Sequence, residues 1–401
     1  MPTASQVATH MSPAGPAHPA VGAATSLLDA YTPGSRFLAT SGRTLLAHGA
    51  VRQVPHDDRP LVERVNATLT EAGAAGQRNP VVIGAIPFDH GVPAALGVPA
   101  TLRVAPPLAS DPLITLPVGA SGTADWRIRP VPEPGVYGAG VASAVERMMR
   151  GEFSKVVLAR TLELTSRAPL DLPMMLRRLA RRDPAGYTFA LPTGPGRTLI
   201  GASPELLVSR QGRQVTANPL AGSAPRSTDL AEDVRRAAAL LDSAKDLHEH
   251  AVVVDAVHRS LAPHCTELTV PTRPTLIRTA TMWHLSTTVT GTLAAPDTSA
   301  LALAYALHPT PAVCGTPTMT ARQVIAETEP FDRGFFTGMV GWGDAEGDGE
   351  WVVTIRCAEA EEHTLRLYAG AGVVAASDPE AETAETAAKF RTFLSAVGAE
   401  L

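Results

Sequence analysis

Two short segments, far apart in the chain, combine pairs of acids with a lysine at a spacing that suits helices. In "SAKDLHEH", Asp246 and Glu249 are three positions apart, and in "ETAETAAK", Glu382 and Glu385 repeat that spacing. Residues three or four apart lie on one face of a helix. Each segment would therefore present two carboxylates and an ammonium group close together.

The first segment alone allows four kinds of site: a zinc site, an acid–base pair, half of a magnesium site, or a solvated helix face. A zinc-protease helix needs two histidines four positions apart, whereas the position four after His248 is Val252. His248 and His250 would point about 200° away from each other around a helix. Lys245 and Glu249 are four apart and would form an ordinary ion pair on a solvated face. The spacing therefore disfavours zinc and leaves the acid–base pair, the magnesium site and the solvated face open.

The second acidic segment favours magnesium among these three. Two helices that each carry a carboxylate pair could face one another across a cleft. Mg²⁺ is bound in proteins by one or two carboxylates, keeps several waters and leaves room for an anionic ligand. The paired acids thus predict a Mg²⁺ site that a substrate carboxylate would complete.

Lysine is rare in this chain. Of 34 basic residues, only Lys155, Lys245 and Lys389 are lysine, and the others are arginine. A buried lysine can lose its proton, whereas arginine stays charged at any accessible pH. The three lysines are therefore candidates for chemistry that arginine cannot perform, unless each has been retained by chance.

Composition excludes several classes of protein. The chain has 401 residues, 45% of them hydrophobic, which is enough to bury a large core. A net charge of -5 without basic runs argues against nucleic acid, and no apolar run reaches the length of about 18 residues that a membrane span needs. Cys265, Cys314 and Cys357 are widely spaced, form no CxxC pair and favour reduced thiols in the cytoplasm.

The order of the elements predicts an α+β fold. From about residue 136, helical patterns such as "LPMMLRRLARR" separate groups of successive strands such as "RTLIGASPELLVSR". A helical pattern of some 30 positions follows the N-cap candidates Thr228 and Asp229, and a last helix is predicted from about Pro379 to Val397. Strands in succession, with helices between groups of them, favour an α+β fold with largely antiparallel sheets.

The beginning of the chain says less about function. Residues 1–24 are rich in Pro, Ala, Ser and Thr and are predicted to be a loose tail. Residues 25–135 are predicted to form strands and turns, for example in "PVVIGAIPF" and "ITLPV". Residues 25–401 are long enough for one sizeable domain or two smaller ones, and the motifs lie in residues 136–401.

Nine segments in unchanged order resemble the chorismate-utilising enzyme family. Beside the two acidic segments, they are "SKVVLAR", "GASPELLV", "PLAGSAPR", "MWHLST", "HPTPAVCGTP", "GDGEWVVTIRCA" and "YAGAGVVAASDPEAE". Within the family the chain is most similar to isochorismate synthases, especially those that feed catecholate siderophore pathways. The resemblance implies a single domain over residues 25–401, an α/β sandwich in which large sheets flanked by helices enclose a buried site for Mg²⁺ and chorismate.

The resemblance also implies roles for the four acids. Glu249 and Glu385 match the direct magnesium ligands of the family. Asp246 and Glu382 match supporting acids, which hold coordinated waters. "SAKDLHEH" would then be half of a magnesium site.

The resemblance assigns the acid and the base as well. Lys155 matches the general base that activates water, and Glu205 in "ASPELL" matches the general acid; without the neighbouring motif, Glu205 would be a solvated carboxylate at the end of a strand. Chorismate becomes isochorismate when water adds at ring C2 and the C4 hydroxyl departs, so one group must accept a proton and another must donate one. A buried site favours a neutral amine and a protonated carboxyl.

Further positions match the part of the family site that surrounds the substrate. Arg356 matches an arginine that grips a carboxylate, a task for which a planar guanidinium is suited. From the sequence alone, His284 would be a hydrogen-bonded core histidine. The implied substrate-binding set is Gly222, Ser223, His284, Ala312, Phe336, Arg356, Gly370, Gly372 and Lys389.

Two positions separate this chain from neighbouring activities in the family. Salicylate synthases tend to carry Thr and Tyr where this chain has Ala312 and Phe336, which favours release of isochorismate. Anthranilate synthases use ammonia and lack a lysine at the position of Lys155. No glutamine amidotransferase subunit is expected, and we expect a monomer. Leu247 and Ala376 depart from residues common in the family, which puts local packing in doubt rather than chemistry.

Overall fold

Two large sheets with helices on their outer faces make up most of the protein. The structure is a computed structural model, and it describes residues 21–117 and 125–399. The helices of these residues are α1 (Ala23–Asp29), α2 (Leu61–Ala74), α3 (Pro134–Met149), α4 (Leu172–Arg182), α5 (Leu230–Asp242), α6 (Ala244–Leu261), α7 (Ala300–Leu307), α8 (Thr318–Thr328) and α9 (Pro379–Val397).

The strands run through the whole described chain. They are β1 (Arg36–Ala39), β2 (Thr44–His48), β3 (Arg52–Gln53), β4 (Val81–Ile86), β5 (Ala95–Val98), β6 (Thr101–Ala105), β7 (Trp126–Val131), β8 (Lys155–Ser166), β9 (Tyr187–Gly194), β10 (Arg197–Ser203), β11 (Leu206–Gln211), β12 (Gln214–Asn218), β13 (Leu220–Pro225), β14 (Cys265–Thr269), β15 (Thr275–Arg278), β16 (Met282–Ser286), β17 (Val289–Leu293), β18 (Gly315–Thr316), β19 (Met339–Asp344), β20 (Gly349–Val353), β21 (Cys357–Glu361) and β22 (Thr364–Val374).

The strands form two large sheets and one small sheet. The first sheet has the order β18-β8-β22-β21-β10-β9-β1-β2-β6, with β7 also paired to β8. The second has the order β14-β17-β12-β11-β20-β19-β4-β5-β3, and the small sheet has the order β13-β16-β15. Every pairing in the described residues is antiparallel. This is the predicted sheet type.

Both faces of the central strands of the large sheets are buried, which gives four layers. On β10, Leu199 packs with Val340 of the second sheet, whereas its neighbour Ile200 packs with Leu176 of α4. Successive side chains of a strand point to opposite faces. The continuous apolar run in β10 therefore fills one core between the sheets and another beneath α4 and α9, while α6 and α7 cover the second sheet.

Three predicted elements differ from the structure. The long helix breaks at Ser243, whose extended backbone ends α5 and whose side chain accepts a hydrogen bond from the Asp246 N–H at the start of α6. The predicted strand at "ITLPV" is wrong, because Pro112–Thr115 forms a 3₁₀ turn capped by Asp111. The strand-and-turn prediction for residues 25–135 also missed α2.

Other boundaries agree closely. Asp229 caps α5 as predicted, accepting a hydrogen bond from the Glu232 N–H, and α9 has the predicted limits. Most of the predicted tail, residues 1–24, lies outside the described residues, and α1 begins at Ala23. Among the described residues, no helix combines the length and the apolar character that crossing a membrane requires.

Candidate active site

A cavity of about 670 Å³ opens between the first sheet, the small sheet and the helices α6 and α9. Twelve of the fifteen predicted site residues line it: Glu205, Gly222, Ser223, Glu249, His284, Ala312, Phe336, Arg356, Gly370, Gly372, Glu385 and Lys389. The other three are Lys155, which bonds to a wall residue, and Asp246 and Glu382, which lie one helical turn before wall residues. The structure therefore brings the whole predicted set to one place.

Lys155 is held at the start of β8. The strand pairs with β18 at this residue on one side and with β22 on the other. Its side chain is almost fully buried, and its Nζ donates a hydrogen bond of 2.8 Å to Glu249 Oε1. The ammonium group thus reaches the cavity through a carboxylate on its wall.

Glu205 lies in the short turn between β10 and β11. Ser203 Oγ accepts a hydrogen bond from the Glu205 N–H and donates one to the Val353 carbonyl, which fixes this turn. The carboxyl is buried, and burial raises its pKa to about 7 against the opposing effect of a Leu220 backbone hydrogen bond and nearby positive charges. A substantial fraction of Glu205 is therefore protonated near neutral pH, as an acid catalyst requires.

The two predicted magnesium ligands lie on different helices. Glu249 is on α6 and Glu385 on α9. Ser223 Oγ and Lys389 Nζ both bind Glu385 Oε1, at 3.0 and 2.6 Å. Burial tends to raise the pKa of Glu385, but the charge and hydrogen bond of Lys389 and the bond from Ser223 outweigh it, so the pKa is below its usual value.

The two supporting acids are held differently. Burial raises the pKa of Asp246 and of Glu382, and the nearby direct ligands raise both further. Ser243 Oγ donates a hydrogen bond of 2.5 Å to Asp246, and Lys245 Nζ donates one of 2.7 Å to Glu382 Oε1. The expected ion pair of Lys245 with Glu249 is therefore wrong. Glu249 Oε1 accepts its hydrogen bond from Lys155 instead. Because the helical pattern is interrupted at Ser243, Lys245 lies in the first turn of α6, from which its side chain reaches Glu382 on α9.

The donor set suits Mg²⁺. Glu249 and Glu385 present hard oxygens to the same cavity. Each carboxylate already forms an ion pair, Glu249 with Lys155 and Glu385 with Lys389, so each position favours a cation. Within the part of the chain that the structure describes, no three His, Cys, Asp or Glu side chains converge into a closed cage. Mg²⁺ needs only one or two carboxylates when waters and an anionic ligand supply the rest.

Arg356 and His284 form the polar end of the cavity. The guanidinium donates hydrogen bonds of 3.3 Å to His284 Nε2 and to Thr392 Oγ1. Burial lowers the pKa of Arg356 to about 10 and lowers that of His284 far below its usual value, so the arginine is charged and the histidine neutral near pH 7. In the described residues Arg356 forms no salt bridge, which leaves its charge available to an anion.

Gly372 lets the wall of the cavity approach the acids closely. A Cβ at this position would lie 2.3 Å from Glu249 Oε1 and 3.2 Å from Lys155 Cε. At Gly222, φ is 76°, and a Cβ would lie 3.0 Å from the Asp246 Cβ. Both positions therefore exclude a side chain for reasons of space, and Gly222 also for its backbone conformation.

A profile of the chorismate binding enzyme family matches residues 123–398, more than half of the chain. The chain belongs to the chorismate binding enzyme family.

Relatives in this family are similar over nearly their full length. The chain is 55% identical over 388 residues to isochorismate synthase DhbC of Bacillus subtilis, which covers 94% of this chain and 97% of the relative. It is 43% identical over 369 residues to the vibriobactin-specific isochorismate synthase of Vibrio cholerae, covering 91% of this chain and 92% of the relative.

A solved structure gives the same result for the fold. The structure described as a 2,3-dihydroxybenzoate-specific isochorismate synthase, DhbC from Bacillus anthracis, matches with a TM-score of 0.87 at 51% identity and covers 94% of this chain and 100% of that chain. The predicted family and the predicted α+β fold are confirmed.

Thr337 and Tyr368 also line the cavity of this family member, although the sequence did not single them out. Tyr368 stacks on Phe336 with ring centroids 5.0 Å apart. Thr337 has a φ of 59°, rare for a β-branched residue, and hydrogen bonds with Thr354 and His308 fix its backbone. No local pattern marks such a conformation, because distant residues impose it.

Proposed function

We propose that the protein is an isochorismate synthase, an isomerase that converts chorismate to isochorismate with Mg²⁺. The observation that carries the proposal is a buried lysine bonded to a carboxylate of the cavity wall, together with a buried carboxyl on that wall whose pKa is about 7. Beside them lies Arg356, which forms no salt bridge within the described residues. Proton removal and proton donation in one site are what the isomerisation requires. The relatives named isochorismate synthase, at up to 55% identity among those described above, support the same activity.

The side chains divide the reaction between them. Lys155 accepts a proton from the water that adds at ring C2. Glu205 donates a proton to the C4 hydroxyl, which leaves as water while the double bonds shift. One water is consumed and one released, so the product is an isomer of the substrate.

The anions of the substrate are held by the remaining charged groups. The Arg356 guanidinium suits a carboxylate, which it can bind through two parallel hydrogen bonds, and Lys389 serves the other carboxylate region. Glu249 and Glu385 would hold Mg²⁺, with Asp246 and Glu382 holding its waters. When bound, the ion supplies a Lewis acid and a template for the ring carboxylate.

The apolar residues at two wall positions support release of isochorismate. Ala312 and Phe336 both line the cavity, and neither offers a hydroxyl. Because the related enzymes described above carry vibriobactin-specific and 2,3-dihydroxybenzoate-specific names, we include siderophore biosynthesis in the proposal as the pathway that the product serves.

The test is product analysis with the purified protein. Incubation with chorismate and Mg²⁺, without ammonia, should give isochorismate by liquid chromatography, and a chelator should stop the reaction. Lys155→Met, which removes the amine but keeps most of the side-chain volume, is the matched inactive control. Salicylate and pyruvate as the main early products, or a requirement for ammonia, would contradict the proposal.

A further inference from the structure

All three lysines of the chain donate hydrogen bonds to acids of the proposed magnesium site, and each bonds a different acid. The nitrogen–oxygen distances are 2.8 Å for Lys155 and Glu249, 2.6 Å for Lys389 and Glu385, and 2.7 Å for Lys245 and Glu382. The site therefore combines three ammonium groups with four carboxylates. The site is already close to electrical balance before any metal arrives.

Two of these ion pairs would compete with a metal ion. Lys155 and Lys389 bond the carboxylates assigned as direct ligands, and an ammonium group and Mg²⁺ draw on the same oxygen lone pairs. A cation of charge 2+ that entered the cluster with both pairs intact would also be repelled by the ammonium groups beside it. Binding of the metal and these two ion pairs are thus mutually unfavourable.

We propose that Lys155 and Lys389 are internal counter-ions that Mg²⁺ displaces from Glu249 and Glu385, whereas Lys245 keeps its bond to Glu382. This inference rests on the proposed function, because it takes the metal site from it. One event then builds the metal site and releases two lysines towards the substrate. Without metal, both lysines stay bound to acids.

The surroundings of the two lysines allow this exchange. Lys389 Nζ also donates a hydrogen bond of 2.8 Å to the Gly370 carbonyl on the cavity wall, so it keeps an anchor when Glu385 binds metal. Beside Lys155, the missing side chain of Gly372 lets Glu249 Oε1 and Lys155 Cε lie against the strand, because a Cβ there would be 2.3 Å and 3.2 Å from these two atoms.

Lys245 differs because it joins two helices. Its acid partner, Glu382, is 1% exposed and lies on α9, whereas Lys245 lies in the first turn of α6. Breaking this pair would leave the buried Glu382 carboxylate without its charged partner, which is costly. Lys245 is therefore a positioning residue that ties the two acid-bearing helices together, with or without metal.

The small number of lysines makes a direct test possible. Protein labelled with [13Cε]lysine and carrying no lysine in a tag should give three side-chain signals by NMR, assigned with the three Lys→Met variants. Addition of Mg²⁺ without chorismate should shift the Lys155 and Lys389 signals along one saturation curve and leave the Lys245 signal in place. No shift at saturating Mg²⁺, or equal shifts of all three signals, would overturn the inference.

Metal affinity gives a second measurement. Mn²⁺, whose free concentration is measured by EPR, replaces Mg²⁺. Lys155→Met and Lys389→Met should each bind Mn²⁺ at least about tenfold more tightly than the unmodified chain, because a competing ammonium is gone. Lys245→Met removes the same charge from Glu382, which is not a direct ligand, and should tighten binding by less than about threefold. Equal tightening in all three variants would mean a general charge effect and would contradict the exchange.

The same preparation separates this inference from the proposed function. Mg²⁺-dependent formation of isochorismate with unmoved Lys155 and Lys389 signals would leave the function standing and refute the exchange. Selective shifts of these two signals without any isochorismate would support the exchange and refute the function.

Discussion

At the level of single residues, Glu205 links the chemistry of the site to the stability of the fold. Its ordinary pKa is 4.5, and burial raises it to about 7 in the folded protein. The folded state therefore binds this proton more tightly than the unfolded state does. The free energy of unfolding should fall as pH rises from about 4.5 to about 7, and the loss is complete above that range.

Glu205→Gln should therefore be more stable than the unmodified protein at pH 8, but not near pH 4. The rise of the pKa from 4.5 to about 7 corresponds to at most about 3–4 kcal/mol, because one pKa unit is worth about 1.4 kcal/mol. Denaturant unfolding at both pH values measures it. Glu71→Gln, whose side chain is 60% exposed on α2, is the control without such a gain. Equal stability of Glu205→Gln and the unmodified chain at pH 8 would refute the assignment of this pKa.

The same ionisation predicts how activity depends on pH. Donation of a proton to the leaving hydroxyl requires protonated Glu205, so turnover should decline as pH rises above about 7. Glu205→Gln should lose about 10²- to 10⁴-fold in kcat, the usual range for loss of a general acid. Initial rates of isochorismate formation between pH 6 and 9 give the profile. A rate that keeps rising to pH 9 would speak against Glu205 as the acid.

Lys155→Arg tests the base while keeping the positive charge. A guanidinium remains protonated at any accessible pH and cannot take a proton from water. We expect a loss of about 10²- to 10⁴-fold in kcat. In the control Lys245→Arg, the ion pair with Glu382 can persist, so the loss should be less than about tenfold. Steady-state kinetics measure both variants, and circular dichroism verifies that they fold. An active Lys155→Arg enzyme would contradict the assignment of Lys155 as the general base.

The sequence singled out the acids and lysines that the structure brings together, but not their hydrogen-bond partners. Types and spacing located the four acids and three lysines, because each motif lies on one helix or strand. Spacing within a helix suggested Glu249 as the partner of Lys245, whereas the structure gives Glu382 on another helix. A partner 137 positions away is set by tertiary packing, which local spacing does not encode.

At the level of elements, one buried arginine joins three segments of the cavity wall. Arg333 donates hydrogen bonds to the carbonyls of Val157 and Val313 and to Thr337 Oγ1, and these three residues line the cavity. Its charge is balanced by Glu329, four positions earlier at 2.5 Å. The arginine thus fixes β8, the segment before β18 and the turn before β19 relative to one another.

Arg333→Met should therefore destabilise the protein and loosen the site. The loss leaves the buried Glu329 carboxylate with only the Ala159 N–H as a partner, and removing one side of a buried ion pair typically costs about 3–5 kcal/mol. Urea unfolding measures the change in the free energy of unfolding. Arg129→Gln removes an ion pair whose arginine is 68% exposed and should cost less than about 1 kcal/mol. Equal stability of the two variants would show that the arginine does not hold these segments.

Arg333→Lys is the variant that separates position from charge. It keeps the positive charge but loses the planar fork that reaches three acceptors. We expect a smaller loss of stability than in Arg333→Met, with KM for chorismate raised more than kcat is lowered.

Elements with a strong local pattern were predicted well, and the others were not. The pattern of α9 repeats over five turns and gave its limits correctly, whereas "ITLPV" is a short apolar run that fits a strand or a buried turn equally. The break at Ser243 was missed because the apolar pattern continues through it, and the single capping residue that starts α6 does not interrupt that pattern.

At the level of the whole molecule, the first third of the chain completes both large sheets. Strands β1, β2 and β6 extend the first sheet beyond β9, and β4, β5 and β3 extend the second beyond β19. Side chains from both additions, such as Leu38 and Ile83, fill the core between the sheets. The motif-bearing part therefore depends on residues that carry none of the motifs, which supports the prediction of one domain.

Residues 125–401 alone should fail to form a soluble active enzyme. Removal of the first third would expose the hydrogen-bonding edges of β9 and β19 together with the apolar core that Leu38 and Ile83 cover. Unpaired edges beside apolar surface promote aggregation. Expression of residues 21–401, which keep every described strand, is the matched control. Size-exclusion chromatography and the isochorismate assay compare the two chains. A soluble and active 125–401 fragment would refute the single domain, because it would show that the site folds without the strands that extend both sheets.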